Sequence, residues 1–165
     1  MNLVSLQRLR PDVTFDLRYT TTDNITGKVL GDEASIARLD MAAATHLSKA
    51  AADFKEQGYR LVLWDAFRSE AIQRELRAID PDDKYVLEHS QHSLGLAVDV
   101  TLADKDGALL AMGTDHDEFS ERAHPDAKGL TEQQEKHRII LQNTMSRHGF
   151  VIWPYEWWHF DFVPK

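Results

Sequence analysis

From Ser90 to Thr101 the chain reads Ser-Gln-His-Ser-Leu-Gly-Leu-Ala-Val-Asp-Val-Thr. The second half alternates apolar positions as a β-strand does, so positions 96, 98 and 100 are predicted to face a core while Asp99 faces the other way. His92 is an odd number of positions from Asp99, and an unbroken strand would put the two on different faces. We therefore predict a turn at 93–95, which Gly95 permits, and expect it to bring His92 back towards Asp99.

A histidine and an aspartate held together suit a metal ion, but a catalytic site needs a third ligand. The candidate is His159, in the sequence Glu156-Trp157-Trp158-His159. The chain has no cysteine, which excludes thiolate ligands, and a His/Asp/His set with one open position is typical of catalytic zinc. Glu156 is then a spare carboxylate, which peptide hydrolysis requires as a general base.

These residues resemble the motifs of the zinc D-alanyl-D-alanine metallopeptidases, most closely those of the D-Ala-D-Ala dipeptidase branch. The resemblance rests on Ser-x-His-x-x-Gly-x-Ala-x-Asp at 90–99 and Glu-x-Trp-His at 156–159. It extends in order along nearly the whole chain through further matching stretches: Asp16–Tyr19, Asp23–Gly27, Asp65–Arg68, Met112–Asp117 and Ser120–His124.

Pattern and resemblance together predict a single α+β domain over residues 1–165, with helices packed on an antiparallel sheet, as in hedgehog-type and D,D-peptidase zinc proteins. One Zn²⁺ per chain is expected on His92, Asp99 and His159. The predicted helices are 40–57, 69–79 and one opened by a capping box at 131–134. The predicted strands are 13–19, 59–64, 96–101, 150–153 and 158–163, with a hairpin at 103–110.

Two residues besides the ligands are expected to take part in the chemistry. The resemblance implies that Glu156 moves the proton and that Arg68 supports the developing oxyanion. From the residues alone, the favoured interpretation of Arg68 is a surface ion pair with Glu70 or Asp65.

Three residues are expected to contact the substrate. Asp117 lies in a long irregular segment, 112–128, where its simplest interpretation is a helix N-cap or a solvated charge. The resemblance implies that Asp117 receives the free ammonium of a dipeptide and that Ser90 holds the other end. Tyr19, which would otherwise be a packing residue, is expected to line the pocket.

Two other groups compete with these assignments. His89 lies close to the motif, but nothing pairs it with Asp99 on one face. Glu121 and His124 repeat the Glu-x-x-His spacing of Glu156 and His159. We prefer the pair at 156–159 because aromatic neighbours indicate a buried site, whereas 121 and 124 lie among charges.

Composition restricts the partners. With 165 residues, a net charge of −8 and a pI near 5.4, the chain lacks the basic character of nucleic-acid or anionic-membrane binders, whereas a small zwitterionic substrate is compatible. No apolar leader and no run of about 18 apolar residues occurs, so we expect a soluble, cytoplasmic protein without a membrane partner. The oligomeric state is left open.

The predicted function is zinc-dependent hydrolysis of D-Ala-D-Ala-type dipeptides to free D-amino acids, an activity related to peptidoglycan. Only six residues follow His159, and a shorter lid would open the pocket, so a D,D-carboxypeptidase or cell-wall endopeptidase is the alternative. A zinc-stabilised binding domain without catalysis is the alternative from another class. Glu156 argues against it, because a structural zinc needs no spare base.

Overall fold

The computed structural model describes residues 2–163 as helices packed on a mixed β-sheet, an α+β fold as predicted. The strands are β1 (Leu3–Ser5), β2 (Val13–Phe15), β3 (Arg38–Asp40), β4 (Arg60–Asp65), β5 (Ala97–Ala103), β6 (Phe150–Ile152) and β7 (His159–Phe162). The helices are α1 (Glu33–Ile36), α2 (Met41–Glu56), α3 (Glu70–Ile79) and α4 (Glu132–Arg147). Over residues 2–163, no helix combines the length and the apolar character that a membrane span requires.

The main sheet has the strand order β2-β4-β5-β7-β6, and β1 pairs with β3 in a separate two-stranded sheet. The prediction of an antiparallel sheet is right for the pairs from β4 to β6 and wrong for β2, which runs parallel to β4. The reason is the connection between them. Parallel neighbours need a crossover of a dozen or more residues, and α2 lies in the chain between β2 and β4.

The helix boundaries predicted from capping residues are confirmed. The Asp40 side chain accepts a hydrogen bond from the Ala42 amide at 3.1 Å and opens α2. Ser69 caps α3 in the same way. Thr131 and Gln134 form the reciprocal capping box that opens α4.

One predicted strand is shorter in the structure, and the return segment of the predicted hairpin is reduced to a single bridge. β2 ends at Phe15, and the chain then forms a 3₁₀ turn at Arg18–Thr20, so Tyr19 is not on a strand. Within the predicted hairpin, Ala103 and Leu109 form an isolated bridge and no second strand follows. In both places polar residues with local hydrogen bonds interrupt the ladder, since Thr20 bonds to the carbonyl of Leu17 and Asp104 accepts from two amides of its own turn.

The predicted turn before β5 is confirmed. Residues Gln91–Leu94 form a 3₁₀ helix, and Gly95 follows in the left-handed region with φ of 67°. A Cβ at Gly95 would collide with the Leu3 side chain and lie 3.0 Å from the Asp40 amide nitrogen. The small sheet of β1 and β3 therefore supports the turn that carries His92.

The core covers both faces of β5. All seven of its residues are buried, including Asp99 and Thr101 on the face opposite the apolar core residues. This burial places a carboxylate deep inside the protein, where it needs charged or hydrogen-bonding partners.

A buried arginine of α4 holds the segment 112–124 in place. The guanidinium of Arg138 donates to the backbone carbonyls of Met112, Arg122 and His124, at 2.7, 2.9 and 2.8 Å. It also lies over the ring of Trp157, with its central carbon 5.5 Å from the ring centroid. One side chain thus ties both ends of this segment to the helix.

Replacing Arg138 with Met is expected to lower the free energy of unfolding by about 2–4 kcal/mol, because one buried and two partly buried backbone carbonyls lose their donor. The measurement is urea unfolding of both proteins. Arg147→Met is the matched control on the same helix. Arg147 is half exposed and pairs with Asp53, so its loss is expected to cost about 1 kcal/mol or less. Equal losses in the two variants would contradict the role given to Arg138.

Candidate active site

The site is built on a row of residues across the three central strands. Asp65 of β4 is paired with Asp99 of β5, and Asp99 is paired with His159 of β7. Cross-strand partners lie about 5 Å apart, so this register brings the three side chains together. The 3₁₀ turn before Gly95 then adds His92 to the row.

Three side-chain atoms converge at the centre of this row. The Nε2 atom of His92 lies 3.2 Å from Oδ1 of Asp99 and 3.1 Å from Nδ1 of His159. The distance from Nδ1 of His159 to Oδ1 of Asp99 is 3.1 Å. His92, Asp99 and His159 are therefore a buried group whose ligand atoms could hold one metal ion.

In each histidine the ring nitrogen that points away from Asp99, here called the outer nitrogen, makes a hydrogen bond that determines which nitrogen carries the ring proton. Nδ1 of His92 is 2.6 Å from the carbonyl oxygen of Ala66, and Nε2 of His159 is 3.0 Å from Oδ1 of Asp161. A carbonyl and a carboxylate can only accept, so each of these nitrogens carries the proton and donates it. Once each ring carries only this one proton, the two nitrogens that face Asp99 present lone pairs. Three acceptors directed at one point fit a cation, and the outer hydrogen bonds are those that metal-binding histidines make.

Nε2 of His92, Oδ1 of Asp99 and Nδ1 of His159 form a triangle, and the charges around this triangle affect the pKa values of its members. Burial alone would raise the pKa of Asp99, but the positive charge of His92 and the hydrogen bonds to His116, His159 and His92 hold that pKa well below its usual value. Burial would lower the pKa of His159, yet its hydrogen bonds to Asp161 and Asp99 raise it to about 10. A proton and a metal ion would thus compete for Nδ1 of His159.

Glu156 lies beside the triangle without being part of it. Its Oε2 atom is 3.8 Å from Nδ1 of His159, and the side chain is buried. Burial raises the pKa of Glu156 to about 8; Asp99 and Asp117 also raise it, and His159 and Arg68 oppose them. A carboxyl group in such surroundings can both accept and return a proton.

Arg68 forms an ion pair with Asp65, one of the two partners expected from the residues alone. The pair is buried, so the expectation that it lies on the surface is wrong. The Nε and Nη2 atoms of its guanidinium contact Oδ2 of Asp65 at 2.9 and 2.8 Å, and Nη1 donates to Gln73 at 3.0 Å. Nη2 also lies 3.5 Å from Oδ2 of Asp99. The guanidinium is therefore fixed beside the triangle, where its charge can act on a developing oxyanion.

Asp117 is held in a strained conformation. It is the one non-glycine residue among residues 2–163 with a positive φ, 58°, and such strain is typical of functional sites. Its Oδ2 atom accepts a hydrogen bond from the Tyr19 hydroxyl at 2.9 Å. The ring of Tyr19 in turn lies against Arg68, whose central carbon is 5.2 Å from the ring centroid. Asp117 caps no helix here, contrary to its simplest interpretation from sequence.

All the residues predicted to bind the metal, take part in the chemistry or contact the substrate, except His92, line one small cavity of about 20 Å³ beside the triangle. Its outer wall is aromatic: the rings of Tyr85 and Phe119 stack at 5.0 Å, and Trp153 donates from Nε1 to the carbonyl of Lys84 at 2.8 Å. Ser90 lines the cavity, and its hydroxyl oxygen caps the 3₁₀ turn by accepting from the His92 amide at 3.2 Å. The cavity is thus small, in contrast to the open pocket expected from a short lid.

The competing groups lie elsewhere. His89 and Glu121 are exposed. Nε2 of His124 lies 3.3 Å from the hydroxyl of Tyr85, at the aromatic wall. None of the three belongs to the metal-binding group found among residues 2–163.

Sequence reasoning assigned no role to two residues that contact the ligands. Asp161 bonds to the outer nitrogen of His159, and His116 lies 3.0 Å from the second oxygen of Asp99. The alternation of β7 already placed Asp161 on the face of His159, so that contact had a signal in the sequence. His116 lies in the irregular segment, where spacing predicts no direction for a side chain.

The sequence matches a peptidase family described as D-ala-D-ala dipeptidase over residues 1–164. It is 37% identical over 162 residues to a D-alanyl-D-alanine dipeptidase of Escherichia coli, a match covering 96% of this chain and 83% of the relative. A D-alanyl-D-alanine dipeptidase of Enterococcus faecalis is 33% identical over 183 residues, covering 97% of this chain and 91% of the relative.

A solved structure shares the fold. The LD-carboxypeptidase LdcB aligns with 99% of this chain and 69% of its own, with a TM-score of 0.58 and 21% sequence identity. The α+β peptidase fold predicted from the sequence is thereby confirmed.

Proposed function

The chain belongs to the D-Ala-D-Ala dipeptidase family, and from this we propose that it hydrolyses D-alanyl-D-alanine-type dipeptides to free D-amino acids, using one zinc ion on His92, Asp99 and His159. The observation that carries the proposal is the triangle of three acceptor atoms with buried Glu156 3.8 Å away. A binding domain without catalysis would not need that carboxyl group. Zinc, when bound, would supply Lewis-acid chemistry at this point.

The protein's own groups would carry the proton and stabilise the charge. Glu156 accepts the proton of the attacking water and returns it to the amine that leaves when the C–N bond breaks. Arg68, fixed by Asp65 and Gln73, places its positive charge near the carbonyl oxygen as that oxygen becomes negative. The small cavity leaves room for few other water molecules, which would strengthen both effects.

The walls also favour a dipeptide over a longer peptide. A cavity of about 20 Å³ holds roughly one water molecule, so the aromatic wall must move to admit even a dipeptide. A longer peptide would have to extend through that wall. The carboxypeptidase or endopeptidase alternative would need a larger displacement of the wall than a dipeptide does, so we favour the dipeptide.

A hydrolysis panel tests this proposal. Zinc-loaded protein is expected to cleave D-Ala-D-Ala and to leave L-Ala-L-Ala and a muropeptide largely intact, measured as released alanine. Faster cleavage of the muropeptide would favour the endopeptidase alternative. Stoichiometric zinc without cleavage of any substrate would favour a binding domain.

We also propose that Asp117 pairs with the free ammonium of the substrate. Its backbone is strained, and its carboxylate borders the cavity and accepts a hydrogen bond from Tyr19. Acetylating that amine removes a charge-assisted hydrogen bond. The kcat/KM for N-acetyl-D-Ala-D-Ala is therefore expected to be lower than that for the free dipeptide, by a factor that corresponds to about 2–5 kcal/mol of transition-state stabilisation.

The control for this prediction is Asp117→Asn, tested on both substrates. The variant is expected to lose most of the discrimination between them, because the free ammonium then gains little over the acetylated amine. Equal cleavage of the two substrates by the parent enzyme would show that Asp117 has another role.

We further propose that residues 1–165 act as one catalytic domain. Support comes from one sheet that carries Asp65, Asp99 and His159 and from a family match over residues 1–164. The cytoplasmic location expected from the sequence stays a prediction.

A further inference from the structure

The two oxygens of Asp99 have different partners. Oδ1 faces His92 and His159 in the triangle. Oδ2 lies 3.0 Å from Nε2 of His116 and 3.5 Å from the guanidinium of Arg68. At these distances His116 makes the stronger hydrogen bond to Oδ2.

The setting of His116 gives its ring few other polar contacts. Its side chain is 1% exposed and packs against the rings of Tyr19, Trp64 and Trp158, with centroids 5.7, 5.3 and 5.7 Å away. Nδ1 has no hydrogen-bond partner among the described residues, and Asp117 is at the longer distance of 3.6 Å from Nε2. A phenylalanine would fill such a cage without the cost of burying an unpaired nitrogen. The contact with Asp99 is what the imidazole adds.

We propose that His116 is a positioning residue that fixes Asp99 as a ligand through one oxygen. By donating from Nε2 to Oδ2, His116 holds the carboxylate plane so that Oδ1 alone points into the triangle. This hydrogen bond orients Asp99, as the hydrogen bond to the Ala66 carbonyl orients His92. The hydrogen bond to Asp161 orients His159 in the same way. All three ligands then have an outer hydrogen bond, and the site is set before a metal binds. This inference rests on the metal site of the proposed function.

The test is zinc affinity, measured by competition with a chelator on folded protein. His116→Phe keeps the ring volume and removes the donor, and it is expected to weaken zinc binding about 10–100-fold. His116→Gln offers an amide nitrogen near the position of Nε2 and is expected to stay within a few-fold of the parent. Asp161→Ala removes the corresponding hydrogen bond from the outer nitrogen of His159. Its loss of zinc affinity gives the size of effect to expect when one ligand loses its outer hydrogen bond.

Kinetics at saturating zinc separates positioning from loss of metal. His116→Phe is expected to lower kcat with little change in KM, and His116→Gln is expected to restore kcat. His137→Phe is the control for ring replacement, because His137 is also buried and bonds through Nδ1 to a carbonyl, that of Ala111 at 2.9 Å, away from the site. The control is expected to keep the zinc affinity of the parent.

A measurement on the unmodified protein avoids any folding defect of the variants. In ¹⁵N NMR of the zinc-loaded protein, His116 is expected to carry a slowly exchanging proton on Nε2. A proton on Nδ1 alone would overturn the inference, and so would equal zinc affinity of His116→Phe and the parent, or equal losses in the Phe and Gln variants. If the parent itself binds no zinc, the proposed metal site fails and this inference fails with it.

Discussion

Replacing Glu156 with Gln is expected to leave one zinc ion per chain and to lower kcat on D-Ala-D-Ala by roughly 10²–10⁴-fold. Glutamine keeps the size of the side chain but cannot take a proton. The carboxyl group lies 3.8 Å from His159 and is not one of the three ligands, so zinc is expected to stay bound without it. The measurement is turnover together with metal content on the same purified sample.

Glu121→Gln is the matched control. Glu121 has the same spacing to a histidine as Glu156 has, but it is exposed on a short 3₁₀ turn. Its replacement is expected to change kcat by no more than a few-fold. A Glu156→Gln enzyme with nearly parental turnover at full zinc occupancy would refute the proton-transfer role.

Replacing His92 with Ala is expected to abolish stoichiometric zinc and, with it, nearly all activity. His92 supplies one of three ligand atoms, and its loss leaves two, which do not hold zinc firmly. The parent is also expected to melt at a higher temperature with zinc, since a ligand at 100 times its Kd stabilises a protein by about 2.7 kcal/mol. His92→Ala is expected to lose that zinc-dependent shift.

His137→Ala separates metal loss from the loss of a buried ring. Both histidines are buried and donate from Nδ1 to a backbone carbonyl, but only His92 reaches the triangle. The His137 variant is expected to be less stable and to bind zinc in full. Full zinc content in His92→Ala, measured by elemental analysis, would disprove the ligand assignment.

The parts of the site that could be predicted from sequence are those fixed by short-range geometry. The alternation of β5, the odd spacing to His92 and the need for a glycine together predicted the turn at Gly95, which has φ of 67°. Capping residues likewise located α2, α3 and α4. Such features depend on a few neighbouring residues, so a single sequence contains the information.

The contacts that were not predicted join residues that are distant in the sequence. His116 reaches Asp99 because a loop folds over the sheet, and Arg138 anchors that loop from a distant helix. Arg68 illustrates the same limit. Its partner Asp65 was one of two foreseen, but the pair is buried. The guanidinium also contacts Tyr19 and Asp99, which are distant in the sequence, and no local pattern indicates such contacts. The parallel pairing of β2 has the same origin, since strand direction is set by the crossover.

The strand register that aligns Asp99 with His159 also orders events during synthesis. These two ligands are 60 residues apart in the chain. At about 5–20 residues per second, roughly 3–12 seconds separate their addition on the ribosome. Throughout that interval the nascent chain has His92 and Asp99 but no third ligand, so it cannot yet retain zinc. Metal capture would therefore mark the moment when β7 docks beside β5, and a slip of one residue in that pairing would turn His159 to the other face and leave a folded sheet without a site.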